Sequence, residues 1–110
     1  MGYDEELAWR IRELLVDEPD VTETKMFGGL AFLVRGNMAV AASRQGGILV
    51  RVDPAKSDKV IATTTALPMV MRGREMMGWL RVGGEGIGTK RQLVKWVTMG
   101  KTYARALSAK

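Results

Sequence analysis

Between a strand-like and a helix-like segment, the run Gly83-Gly84-Glu85-Gly86-Ile87-Gly88 is the part of this chain closest to a phosphate-binding loop. Glycine-rich turns that open a helix can cradle phosphates, because unpaired N–H groups and the helix dipole converge there. This run fits neither established pattern. A P-loop needs Lys after its last glycine, and Thr89 stands there with Lys90 one place late. A dinucleotide fingerprint built on Gly84 and Gly86 needs glycine at position 89. The segment reads as a connection ending in a helix cap.

The chain has no histidine and no cysteine. Thiolate nucleophiles, imidazole bases, disulfides and Cys/His zinc sites are therefore excluded. Carboxylates could still pair for acid–base work, as Asp53 with Asp58 or Glu75 with Glu85. Nothing in the sequence sets either pair in a pocket, and Asp53 before Pro54 is a natural helix cap. Asp17, Glu18 and Asp20 lack the spacing of a calcium loop, which also needs a central Gly and a final Glu. No catalytic residue, cofactor or metal is expected, and a small-molecule enzyme is the most distant reading.

Cations offer more. Lys25, Arg35, Arg51, Arg72, Arg74, Arg81, Lys95, Lys101 and Arg105 could form a face for a polyanion or an acidic partner. Arg72 and Arg74 flank Gly73 in a hairpin signal, and Trp79 could stack on bases if exposed. Trp96 falls on an apolar helix face and reads as core. Met69, Met71, Met76 and Met77 cluster around the same hairpin, with a core role expected and a partner or dimer surface as the alternative.

Those side chains must be positioned by one domain spanning 1–110, since most domains run to roughly 100–150 residues. Apolar residues at 46% and charged residues at 26% fit a globular chain rather than a disordered one. The net charge of +5 hides an asymmetry: residues 1–24 hold eight acids and two bases, and no acid follows Glu85. The acidic first helix is expected to neutralise a basic neighbour. The N-terminus is acidic where a secretory signal needs Lys or Arg, and Glu6 spoils a myristoylation pattern at Gly2. The stretch from Met26 to Val34 is about half of the ~20 residues of a membrane span. A cytoplasmic protein without membrane contact is expected.

Leu7, Ile11, Leu14 and Leu15 share one face of a helix over residues 4–17. A strand from Met26 to Arg35 follows, with Gly28-Gly29 marking a bulge or a close backbone approach. Gly36-Asn37 reads as a II′ hairpin turn. Strands at 38–43 and 48–52 complete a meander, and a short helix follows Pro54. A hairpin over 68–82 and a helix opened by the Thr89/Gln92 capping box come last. The expected fold is α+β, an antiparallel sheet of about five strands with helices packed on it, in the order α-β3-α-β2-α.

The block Lys25-Met26-Phe27-Gly28-Gly29 with its following strand and hairpin, and the run from Pro68 to Trp79, resemble the TfoX N-terminal domain family. The ending from Trp96-Val97 to Tyr103-Ala104 is similar to that family's closing helix. The resemblance implies an α+β fold and carries no catalytic residues. Named members of that family are bacterial regulators of competence genes that act with the cAMP receptor protein, and they add a helical C-terminal domain. With the chain ending at Lys110, a stand-alone member without that domain is expected. The functional expectation is a non-enzymatic regulatory or interaction domain acting by protein–protein contact, with direct nucleic-acid binding through the basic face as the alternative. Its partner is expected to be a protein, from the transcription machinery or a regulator, while weak nucleic-acid contact and a homodimer stay open.

Overall fold

The computed structural model describes residues 3–26 and 28–108; Gly2 of the lipidation test and Phe27 of the glycine block lie outside the described residues. Helix α1 (Glu5–Leu14) starts at Asp4, whose carboxylate accepts from the N–H groups of Glu6 and Leu7 at 3.0 and 3.1 Å. Six strands follow: β1 (Val21–Met26), β2 (Gly29–Val34), β3 (Asn37–Ala42), β4 (Ile48–Arg51), β5 (Leu67–Met71) and β6 (Arg74–Val82). Helix α2 (Ser57–Thr63) lies between β4 and β5, and α3 (Lys90–Ala106) closes the chain.

All neighbouring strands are antiparallel, in the order β1-β2-β3-β4-β6-β5. The sheet therefore has six strands rather than about five, because Val21–Met26 is a strand of its own. It is an edge strand whose sequence, Val-Thr-Glu-Thr-Lys-Met, shows no apolar alternation. Its helix-side positions, Val21, Glu23 and Lys25, are set by pairing with Val34, Phe32 and Leu30. Met26 thus ends β1 instead of opening β2. Gly29 supplies the expected close approach: a Cβ there would lie 2.1 Å from the Ala42 carbonyl oxygen.

The first hairpin turn is Arg35-Gly36, with φ of 54° and 84°, the signs of a I′ turn rather than II′. Asn37 belongs to β3 because its buried amide has work inside. Its Nδ2 donates to the Ser108 carbonyl at 2.8 Å and the Ala104 carbonyl at 3.4 Å, anchoring the end of α3.

Alternation sends Phe32, Val34, Val40, Ile48, Val50, Leu80 and Val82 to the helix side, where they meet Ile11, Leu93, Trp96 and Val97. Each such buried apolar side chain contributes ~1.5–3 kcal/mol by leaving water. The opposite face carries Ala31, Met38, Ala41 and Leu49, which cluster with Met69 of β5 and are flanked by Met26 and Met71. In a flat sheet β5 would lie roughly 19 Å from β2, four steps of ~4.8 Å. Met26 of β1 and Gly29 of β2 line one cleft with Met69 and Met71 of β5, so the sheet curls and the β5–β6 hairpin closes back over this face.

Candidate interaction surface

The hairpin bends where Gly78 interrupts β6. Gly78 has φ of 82°, its carbonyl accepts from the Val52 N–H at 2.7 Å, and the register with β5 shifts between Pro68 and Met69. Only residues 79–82 of β6 pair with β4, so the ribbon beyond the bend is held by its own two strands. It ends in the Arg72-Gly73 turn, with φ of 54° and 78°. Met69 and Met71 take the core role expected of the methionine cluster. Met76 and Met77 lie on the surface, and with Leu67 and Val70 they give the ribbon four large apolar side chains that are 36–60% exposed.

The cations singled out from the sequence divide among several places. Arg72 and Arg74 are exposed at the ribbon's tip. Trp79 and Arg81, both half-buried, alternate with the helix-facing Leu80 and so face away from the helices. Lys95, Lys101 and Arg105 belong to α3, which covers the other face. Lys25 is paired with Leu30 on the helix side of β1, and Arg35 sits at the first hairpin turn, 3.4 Å from the Arg105 carbonyl. No single basic face results.

Several of these charges are occupied. Glu18, with its side chain only 3% exposed, bonds Arg105 and lies 3.6 Å from Lys101. The carboxylate that neutralises the end of α3 thus comes from the segment after α1, not from the acidic first helix, whose acids form no ion pair among the described residues. Lys95 lies 5.2 Å from the Trp96 ring. Arg51 is framed by two aromatics, 5.0 Å from the Trp79 ring and 5.7 Å from that of Tyr103. Cross-strand pairing of Arg51 with Trp79 makes one side of that frame and Tyr103 of α3 the other, and residue spacing gave no sign of it.

Trp96 is buried, and its indole N–H donates to the Gly86 carbonyl at 3.1 Å. That bond ties the glycine run down as a single 3₁₀ turn, Gly84–Gly86, before the reciprocal Thr89/Gln92 cap. Asp53 accepts from the Ala55 N–H at 2.9 Å, the cap expected of it. Arg12 meets Glu23 with two bonds of 2.6 and 2.8 Å, and these hold the Glu23 carboxyl below its ordinary range. Among the described residues, no three acidic side chains converge as a metal-ligand set, and no helix is long and apolar enough to cross a membrane.

Sequence reasoning passed over Arg44. It is exposed on the β3–β4 loop, and its stem lies so close to Gly28 that a Cβ there would be 2.7 Å from it. Only the fold joins these two segments. Compared with known proteins, residues 13–104 match the model of the TfoX N-terminal domain. No curated protein and no solved structure matches the chain.

Proposed function

The chain belongs to the TfoX N-terminal domain family, and from that we propose a non-enzymatic regulatory domain that works by protein–protein contact in the manner of a competence regulator. The observation that carries this reading is the bent β5–β6 ribbon. It exposes Leu67, Val70, Met76 and Met77 beside the tip cations Arg72 and Arg74. Surface apolar residues scattered singly need no explanation, but four on one ribbon at a sheet edge favour a contact surface. Methionine suits such a surface because its unbranched thioether adapts to different partners. The flanking guanidinium groups favour a partner segment that combines apolar side chains with carboxylates.

A photo-crosslinking residue placed at Val70 or Met77 in the living cell tests this. The expected result is a covalent adduct with one protein, absent when the probe sits at Lys90. The purified pair should then bind at physiological salt and lose binding with Met77→Glu. Adducts at neither position would overturn the reading.

Direct nucleic-acid binding is the second reading, supported by Arg72 and Arg74, which have no carboxylate in ion-pair range among the described residues. Fluorescence anisotropy with duplex DNA, single-stranded DNA and RNA separates the two. Binding that weakens steeply with salt and is lost in Arg72→Glu/Arg74→Glu would favour this alternative.

A further inference from the structure

Where the curled hairpin meets the β3–β4 loop, it leaves a cleft of about 260 Å³ on the sheet face away from the helices. Among the described residues, two arginines line it and no acid does. Arg81 is half-buried, donates from Nη1 to the Ser43 hydroxyl at 3.3 Å, and has no carboxylate within 4.0 Å among the described residues. A guanidinium has five N–H donors, so most of this one's capacity is unspent in a partly desolvated place. Arg44, exposed on the β3–β4 loop, lines the cleft as the second arginine. Leu49, Met69 and Met71 give it a soft apolar side, and Ser43 and Gln45 add polar groups beside the arginines.

A half-buried cation normally acquires an anionic partner, because desolvation raises the cost of leaving it alone. This one has none among the described residues. Arginine matches a carboxylate with two parallel bonds, and Met side chains adapt to an aliphatic body. Met26 and Gly29 from the first glycine block and Met69 to Met71 from the second block line this one cleft. Gly28 and Gly29 allow it to form, since any side chain there would collide with Arg44 or with the β3 backbone.

We propose that this cleft binds a small organic carboxylate with a short aliphatic body, its head on Arg81 and Arg44 and its body against Leu49, Met69 and Met71. The site shares Val70 with the exposed residues of the ribbon but is otherwise built from different side chains, and it does not depend on the protein-contact reading. Its volume is near the lower edge of small-molecule sites, which start at roughly 300 Å³. That excludes nucleotides and fits a single short chain.

Titration of the full chain with octanoate, 1-octanol and octyl phosphate, followed by amide NMR and calorimetry, tests the proposal. Saturable one-to-one binding of octanoate is expected, with shifts at Ser43, Met69 and Arg81. Arg81→Gln should weaken it about tenfold or more, the size a charge-assisted pair of bonds carries. Met69→Trp should block it by filling the cleft with both cations in place. Arg91→Gln, on α3, should leave it unchanged. Equal binding of 1-octanol, no saturation at millimolar octanoate, or an unaffected Arg81→Gln protein of unchanged thermal stability would overturn the proposal. Tighter binding of octyl phosphate would overturn the carboxylate assignment.

Discussion

Gly100, midway along α3, rests on the backbone of Ala39 in β3, so closely that a Cβ would lie 2.3 Å from the Ala39 carbonyl oxygen. Ala39 is the extra residue where the β2–β3 register slips, between the pairs Phe32 with Val40 and Leu33 with Met38. The bulge turns the strand toward the helix, and only glycine leaves room for it. Helix propensity alone would favour alanine at position 100 by ~1 kcal/mol. The clash is with backbone, which cannot swing aside, so crowding wins. Gly100→Ala should lower stability by about 1–3 kcal/mol, read as a fall in melting temperature of roughly 4–8 °C per kcal/mol. An unchanged midpoint would mean that α3 can shift off the sheet freely.

Gly78 should matter in a different way. A side chain there must adopt a φ of 82° and would lie 2.8 Å from the Val52 carbonyl oxygen. Gly78→Val should cost about 1–3 kcal/mol through backbone strain. Its local signature is faster amide exchange over residues 69–77, which pair with nothing but each other. Uniformly faster exchange across the sheet would show that the bend serves the whole fold rather than the ribbon.

The helices and the inner strands were readable in the sequence because their apolar residues repeat at the period of the element. Leu7 and Ile11 on α1, and Leu93, Trp96 and Val97 on α3, are buried as that spacing requires. β1 was not readable, since an edge strand whose inner residues are exposed on both faces need not alternate, and its helix-side Glu23 pairs with Arg12 instead of being buried. The first turn was misplaced by one residue because Asn37 looks like a turn former until its bonds to α3 are seen. The cations were identifiable by type but not by grouping, since Arg81 and Lys95 lie on opposite sides of the sheet. Arg44 and Arg81 come together only through pairing between β4 and β6, information that no local pattern holds.

Glu18 decides whether the end of α3 offers free positive charge. Its carboxylate engages Arg105 and faces Lys101. Glu18→Gln should therefore destabilise the protein by about 1–2 kcal/mol, between the values for exposed and buried pairs. If α3 is a concealed polyanion site, the same change should also create salt-sensitive DNA binding that the parent lacks. The protein-contact reading expects no such gain in anisotropy at physiological salt.

The Arg12–Glu23 pair sets a pH dependence whose sign can be worked out. The two bonds from Arg12 are the main cause of the lowered Glu23 pKa; burial opposes them, and the charge of Arg12 adds a lesser lowering. A carboxyl bound more weakly by protons when folded adds stability that is fully present above its unfolded pKa, ~4.3. That stability is lost as pH falls through the lower folded value. Both side chains are a third or more exposed, so solvent screening limits the effect to under ~1 kcal/mol. Glu23→Gln should melt slightly below the parent at pH 7, and the gap should close as the pH falls through the lowered folded value and the parent's own carboxyl takes up its proton. Arg12 also lies 5.9 Å from the Phe32 ring, a contact that the glutamine leaves in place. A gap that stays constant with pH would therefore assign the loss to packing at position 23 rather than to charge.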